Sequence, residues 1–170
     1  MKISQLFDVM PGMYIFKISG LEFCVNVRDV YNVKRLAELN TWKDILSNGG
    51  EYLTIDNFNI PVIDISRYFD IMDKEWSESR MIIIIKHQSE NDFVDKTYAI
   101  IADEVTEIIS IDKKNSNNRP MFIPADGNPF LSGSVFFGGR EILLPNFSKI
   151  ANTVFLGNET FQRPDLKLGN

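Results

Sequence analysis

The chain contains two phrases that each occur twice, in the same order. Residues 23–33, FCVNVRDVYNV, align without gaps on residues 98–108, YAIIADEVTEI, at an offset of 75. Residues 57–68, NFNIPVIDISRY, align on residues 139–150, GREILLPNFSKI, at an offset of 82. A half of ~60 residues is only marginally stable alone, so the two halves are expected to pack together. The repeat therefore predicts an intertwined two-lobed unit with a groove between the lobes.

The composition of each half favours short β-strands. Runs rich in aromatic and β-branched residues, such as MYIFKIS and LEFCVNV, flank turn residues such as Ser19 and Gly20. The run MIIII at 81–85 is typical of a strand buried on both faces. We predict one short helix at 41–50, TWKDILSNGG, and a long polar loop at 112–129.

The expected fold class is all-β. We predict two intertwined five-stranded SH3-like barrels with one or two short helices. They would form a single domain over residues 12–152, with lobes at about 12–74 and 79–152, followed by a weakly patterned C-terminal tail at 153–170.

Charge and cysteine content restrict the environment. The chain has 18 basic and 23 acidic residues, a net charge of −5, so we expect no binding to the phosphates of nucleic acid. Cys24 is the single cysteine and cannot form an internal disulfide, which favours a reducing, cytoplasmic setting. The MIIII run is far shorter than the about 20 residues of a membrane-spanning helix, so we expect no direct membrane insertion.

Asp64 is a candidate catalytic carboxylate, because it follows an apolar strand and precedes a serine and a base. The repeat places Asn146 at the equivalent position of the second half. An amide cannot replace an acid catalyst, whereas Asp and Asn both cap the turn after a strand. We therefore interpret Asp64 as a cap.

Other candidate catalytic or metal-binding residues also have simpler explanations. His87 ends a strand, and Cys24 occupies the position that Ala has in the other half, which is typical of a small core residue. Asp103, Glu104 and Glu107 form a carboxylate cluster, but adjacent strand residues point to opposite faces, which favours a turn or a solvated edge. We predict a protein that is not an enzyme and that holds neither a metal nor a cofactor.

Four stretches, in order, resemble the CheW-like family of chemotaxis adaptors. They are residues 16–33, 60–69, 98–109 and 130–144, and the similarity extends from about Met13 to Ile150. The resemblance implies a pair of five-stranded barrels. It also implies an adaptor that bridges the cytoplasmic tip of a chemoreceptor to the regulatory domain of the histidine kinase CheA, with possible self-association in signalling arrays.

The resemblance also suggests partner-binding positions. The family's Val-x-Glu-Val element has Asn32 in place of Glu, and its usual Arg-Gly turn is replaced by Asp56 and Asn57. Receptor binding near the groove between the lobes would involve Val33, Tyr98 and Ala99, by position only.

Two hairpin turns are further candidate docking sites. The first turn spans Asp56 to Phe58, and the second spans Phe137, Gly138 and Gly139. The two turns occupy equivalent places in the two halves. Phe58 and Phe137 would either anchor a partner or fold back onto their own barrels. The alternative to an adaptor is a barrel that binds a small ligand or nucleic acid, for which the 12% aromatic residues could supply a stacking surface.

Overall fold

The computed structural model describes residues 12–39, 52–55, 57–72, 79–87, 96–110 and 120–157. These residues form eleven β-strands, three short 3-10 helices and one α-helix. The strands are β1 (Gly12–Ile18), β2 (Leu21–Asn26), β3 (Val30–Arg35), β4 (Tyr52–Ile55), β5 (Phe58–Ile63), β6 (Met81–His87), β7 (Lys96–Ala102), β8 (Glu104–Ser110), β9 (Met121–Pro124), β10 (Leu131–Phe137) and β11 (Arg140–Pro145). The 3-10 helices span Val27–Asp29, Leu36–Glu38 and Ile65–Tyr68, and helix α1 spans Phe147–Gly157. The helix predicted at 41–50 lies outside the described residues.

The strands assemble into two sheets. The six-stranded sheet has the order β8-β1-β2-β11-β10-β9, and the five-stranded sheet has the order β3-β6-β7-β5-β4. Each sheet combines strands from both halves of the repeat, because the β1–β2 hairpin joins strands of the second half and β6–β7 joins strands of the first. The prediction of an all-β fold is confirmed.

The sequence repeat relates one sheet to the other. At its two offsets β2 corresponds to β7, β3 to β8 and β5 to β11, and the strands before them correspond likewise, β1 to β6 and β4 to β10. Replacing each strand of the five-stranded sheet by its counterpart gives β8-β1-β2-β11-β10, which is the six-stranded sheet without β9. The halves have therefore exchanged their first hairpins.

The exchange uses the same register on both sides. In the five-stranded sheet, β5 pairs in parallel with β7 through Val62 and Ala99. In the other sheet, β11 pairs in parallel with β2 through Leu143 and Phe23. The repeat maps Val62 to position 144 and Ala99 to position 24, one residue beyond the Leu143–Phe23 pair.

Buried residues form three clusters that follow this exchange. One cluster is built from the five-stranded sheet and the segment after β3, and another from the six-stranded sheet alone. The largest cluster joins the sheets to each other and to α1, through residues such as Phe16, Phe23, Tyr98 and Ile150. Each sheet thus has its own core, and a third core holds the two together.

Two elements differ from the prediction. Strand β9 lies inside the segment predicted to be a polar loop, where Met121, Phe122 and Ile123 pair with β10. Helix α1 continues past residue 152, the predicted end of the domain, to Gly157. In the described part of the chain, no helix is both long and apolar enough to cross a membrane.

Candidate protein-interaction surfaces

The two equivalent polar residues after β5 and β11 are caps, as predicted. The Asp64 carboxylate accepts a hydrogen bond from the Ser66 N–H at 3.1 Å and another from the Ser66 hydroxyl. Asn146 accepts one from the Lys149 N–H at 3.1 Å, at the start of α1. Because both side chains satisfy backbone donors, neither is poised for acid–base chemistry.

The carboxylates of the β7–β8 segment also have structural partners. Asp103 lies between the two strands, and its carboxylate accepts a hydrogen bond from the Ser19 N–H at 2.7 Å. The same carboxylate lies 3.4 Å from Arg80 Nε, and Glu104 lies 3.8 Å from Lys17 Nζ. Among the described residues, no group of three or more potential ligands could hold a metal ion.

Arg140 connects three strands on the surface of the six-stranded sheet. It donates to Glu22 on β2 at 3.0 Å and to Glu107 on β8. The hydrogen bond to Glu107 is the main reason that the pKa of Arg140 is raised. The repeat counterparts of Arg140, Glu22 and Glu107 are Phe58, Thr97 and Asn32, so the equivalent positions in the other sheet carry no charge.

Cys24 is a core residue, as predicted. Its side chain is fully buried in the cluster of the six-stranded sheet, and burial raises the pKa of the thiol to about 12. A thiol with this pKa stays protonated at neutral pH and is a poor nucleophile. His87 ends β6, but its side chain lies outside the described residues.

The groove residues suggested by the resemblance separate into two groups. Tyr98 and Ala99 are fully buried on β7, so a partner cannot contact their side chains, which corrects that part of the prediction. Burial, and secondarily the charge of Asp29, raises the pKa of Tyr98. Asn32 and Val33 lie on β3 and are half-buried, and Val33 packs on the largest core cluster.

The two candidate turns share a left-handed backbone conformation at one equivalent position, Asn57 and Gly139. Asn57 has a φ of 68°, and Gly138 and Gly139 have φ of 58° and 75°. Asn57 thus adopts the left-handed conformation for which glycine and asparagine are favoured. Asp56 lies outside the described residues, as does the side chain of Phe58.

Phe137 folds back onto its own sheet. The ring is half-buried and packs against the core of the six-stranded sheet. The pairing of Phe137 with Arg140 is equivalent to that of Ile55 with Phe58, so Phe137 corresponds to Ile55 rather than to Phe58.

The strands beside these turns are not equivalent. Within the strands that the structure describes, β4 is at an edge of its sheet, whereas its counterpart β10 is covered by β9. The two turns therefore have different neighbouring strands. The two docking faces were expected to be equivalent, but the strands beside the turns are not.

A pair of bulged edge strands was not predicted from the sequence. Among the described strands, β3 and β8 are at the edges of their sheets, and each has a bulge, one at Tyr31 and one at Thr106, which are repeat counterparts. The Tyr31 side chain is 67% exposed. Ile108 on β8, the counterpart of Val33, is 56% exposed. Because the repeat aligns Ile108 with Val33, the sequence could have predicted Ile108 as a candidate partner-binding residue.

The opposite edge of the six-stranded sheet also exposes apolar side chains. Met121 on β9 lies directly opposite Phe136 on β10, and both are exposed, as is Ile123. We call Met121, Ile123 and Phe136 the β9 patch. Exposed apolar side chains that lie together in this way are a candidate interaction surface.

Comparison with known proteins agrees with this architecture. No curated protein sequence matches the chain. The structure is similar to the crystal structure of the scaffolding protein TtCheW from Thermoanaerobacter tengcongensis, with a TM-score of 0.58 and 19% sequence identity, over 81% of this chain and 89% of that one. At this identity the similarity shows the fold.

The model of the CheW-like domain matches residues 12–155, which is most of the chain. That family consists of non-enzymatic scaffolding domains of chemotaxis, in agreement with the prediction that the protein is not an enzyme. The chain therefore belongs to the CheW-like domain family and is a scaffold or adaptor of signal transduction.

Proposed function

We propose that the protein couples chemoreceptors to the histidine kinase CheA at the cytoplasmic face of a signalling array. One observation carries this proposal. Exposed apolar side chains of the six-stranded sheet lie at or beside both of its edges, with Ile108 on β8 and the β9 patch on the other side, while Leu21 on β2 is exposed between them. A bridging protein needs two separate surfaces, and these are separated by the central strands of the sheet.

The first surface combines apolar and charged residues. Strand β8 carries the exposed residues Glu104 and Glu107 as well as Ile108. Such surfaces gain free energy from apolar burial, while the charged rim selects the partner. We assign the chemoreceptor tip to the side of β3 and β8, near Val33 and Ile108. We assign the CheA regulatory domain to the β9 patch and the turn at 137–139.

Three departures from the family pattern bear on partner choice. Asn32 replaces a usual Glu, and Asp56 and Asn57 replace a usual Arg-Gly turn. Replacing a basic residue by an acidic one changes the preferred charge of the partner surface. We propose that these positions adapt the protein to its own receptor and kinase.

The test is co-sedimentation of the purified protein with receptor cytoplasmic fragments and with CheA from the same organism. Ile108→Asp should reduce retention by receptor, and Met121→Asp should reduce retention by CheA, each by about tenfold or more, because a charge enters an apolar contact. Leu21→Asp is the matched control, since Leu21 is 45% exposed on β2 at neither edge. It should leave both interactions unchanged.

The outcome separates two roles. If the wild-type protein is retained by neither partner, the coupling role is wrong, and the chain is a scaffold with other protein partners.

Asp56→Lys tests the specificity proposal separately. It should change the affinity for one partner while the melting temperature stays nearly the same. A large loss of stability would show instead that Asp56 is structural.

A further inference from the structure

The loop between β9 and β10, residues 125–130, contains an Asp-Gly pair. Asp126 and Gly127 are both exposed. In the described part of the chain, no hydrogen bond or ion pair holds the Asp126 carboxylate. Gly127 has a φ of 103°, and a Cβ built on it would meet no atom within 4 Å beyond its chain neighbours. The carboxylate is therefore followed by a peptide nitrogen in open surroundings.

The other aspartates that the structure describes lack this combination. The carboxylates of Asp64 and Asp103 accept hydrogen bonds from backbone N–H groups. Asp29 and Asp70 precede β-branched residues, whose side chains crowd the neighbouring backbone, whereas glycine does not. In the described part of the chain, Asp126 is thus the one aspartate with a free carboxylate and a following glycine.

We propose that Asp126 is a site of spontaneous covalent modification, at which the Asp126–Gly127 linkage rearranges to an isoaspartyl peptide. The Gly127 nitrogen attacks the side-chain carboxyl carbon of Asp126, a water molecule leaves, and a succinimide ring forms. Water then adds to the ring at the main-chain carbonyl carbon of Asp126 and breaks the bond from that carbon to the Gly127 nitrogen. The water lost balances the water gained, and the reaction needs no oxidant, reductant or enzyme. This inference does not depend on the receptor and kinase assignments above.

The loop around this pair is fixed on both sides. Before the pair, the Ala125 N–H donates to the Ser132 carbonyl oxygen on β10 at 3.2 Å. After it, the Asn128 side chain accepts a hydrogen bond from the Phe130 N–H at 2.9 Å and donates one to the Tyr68 carbonyl oxygen at 3.2 Å. The bond to Tyr68 joins the second half of the repeat to the first.

An isoaspartyl linkage does not fit between these two attachments. It adds one methylene group to the main chain, which lengthens the chain by about 1.5 Å. Hydrogen bonds weaken steeply over a displacement of this size, so one attachment must give way. Because Ala125 directly follows the paired residues of β9 and β10, we expect the displacement to fall on Asn128 and to break its bond to Tyr68.

Incubation of the full chain at neutral pH and physiological temperature, followed by peptide mapping, tests the modification. Isoaspartate at position 126 should accumulate to several times its level at Asp70, which is exposed but precedes an isoleucine. Asp126→Glu is the matched variant and should show none at that position, because a glutamate has to close a larger ring that forms more slowly. Asn48–Gly49 can form the same kind of ring by losing ammonia, but its product differs in mass and lies in another peptide.

The same chain unfolded in guanidinium chloride shows how the fold affects the reaction. Isoaspartate should accumulate at position 126 in the folded and in the unfolded chain, because the loop leaves the carboxylate and the nitrogen accessible to each other. Accumulation in the unfolded chain alone would mean that the fold prevents ring closure, and it would overturn the proposal. Absence of isoaspartate at position 126 from both samples would also overturn it.

The isoaspartyl form, separated by chromatography, tests the predicted displacement of Asn128. Its melting temperature should lie below that of the unmodified chain, and the Phe130 amide should exchange its hydrogen faster, since it loses its acceptor. In Asn128→Ala these hydrogen bonds are already absent, so the modification should lower the melting temperature of that variant by less. An equal decrease in the wild type and in Asn128→Ala would contradict the displacement.

Discussion

At the residue scale, the polar residue after each closing strand was predictable from the repeat. Asp64 and Asn146 share only the ability to accept a hydrogen bond from a backbone N–H, and the structure gives both that role. This role is readable from the sequence because a cap is a local interaction, set by residues two or three positions away. The burial of Tyr98 and Ala99 is set by strands distant in sequence, and the comparison did not reveal it.

We expect Asn146→Ala to lower the free energy of unfolding by about 1 kcal/mol, because an N–H at the start of α1 loses its acceptor. Asn146→Asp should retain most of the stability, since a carboxylate accepts the same hydrogen bond. The measurement is urea unfolding followed by circular dichroism. Asp64→Ala should behave in the same way and Asp64→Asn should be tolerated. A loss as large for Asn146→Asp as for Asn146→Ala would contradict the capping role.

The buried thiol of Cys24 makes stability depend on pH in the alkaline range. The pKa of the thiol is about 12 in the folded chain, against 9.0 for an ordinary cysteine. The folded state therefore holds a proton that the unfolded state releases. The contribution of the thiol to stability is complete below pH 9 and is lost as the pH rises from 9 towards 12.

Cys24→Ala, which introduces the residue found at the equivalent position 99, tests this effect. Below pH 9 the variant should be less stable than the wild type by roughly 1 kcal/mol, because atoms are removed from the core. That difference should shrink above pH 9, since the variant has no thiol to ionise in the unfolded state. Urea unfolding of both proteins across the range is the measurement, and a difference that stays constant with pH would contradict the assignment.

At the element scale, most strands were predictable because aromatic and β-branched runs alternate with turn residues. Strand β9 was not, since its four residues, MFIP, lie among polar residues and contain a proline. It forms because β10 offers an edge for pairing, which is a tertiary effect. Helix α1 was not predicted, since its residues lie partly in the repeated phrase 139–150 and partly in the segment 153–170, which was expected to be a weakly patterned tail. The edge status of β3 and β8 follows from sheet order, and no local pattern encodes it.

Gly133 allows β9 to approach β10. A Cβ at this position would overlap the Ile123 carbonyl oxygen and lie 2.8 Å from the Phe122 ring. Gly133→Ala should therefore lower the free energy of unfolding by about 1–3 kcal/mol and loosen β9. Ser132→Ala, at the neighbouring position, is the control and should cost much less. Urea unfolding and amide hydrogen exchange at residues 121–124 measure the two effects. Unchanged exchange in Gly133→Ala would contradict the close approach of the strands.

At the scale of the whole molecule, the repeat defines two halves whose strands are distributed over both sheets. Strands β1 and β2 pair with β8 and β11 of the second half, and β6 and β7 pair with β3 and β5 of the first. The largest core cluster contains residues of both halves, such as Phe16 and Ile63 with Tyr98 and Ile150. A half expressed alone would lack the central hairpin of one sheet, and its own hairpin would lack the strands that flank it in the other sheet.

We therefore expect fragments 1–74 and 79–170 to be unfolded separately and to fold together when mixed. Each fragment alone leaves the apolar residues of β3 or β8 and their neighbours without the strands that cover them, and a half of this size has little core of its own. The mixture can rebuild both sheets because the exchange needs no covalent link between the halves. Circular dichroism melting should show a cooperative transition for the mixture and for neither fragment. A cooperative transition in an isolated fragment would mean that one half can complete a sheet with its own strands. In that case the exchange of hairpins would result from the covalent link between the halves and would not be required for stability.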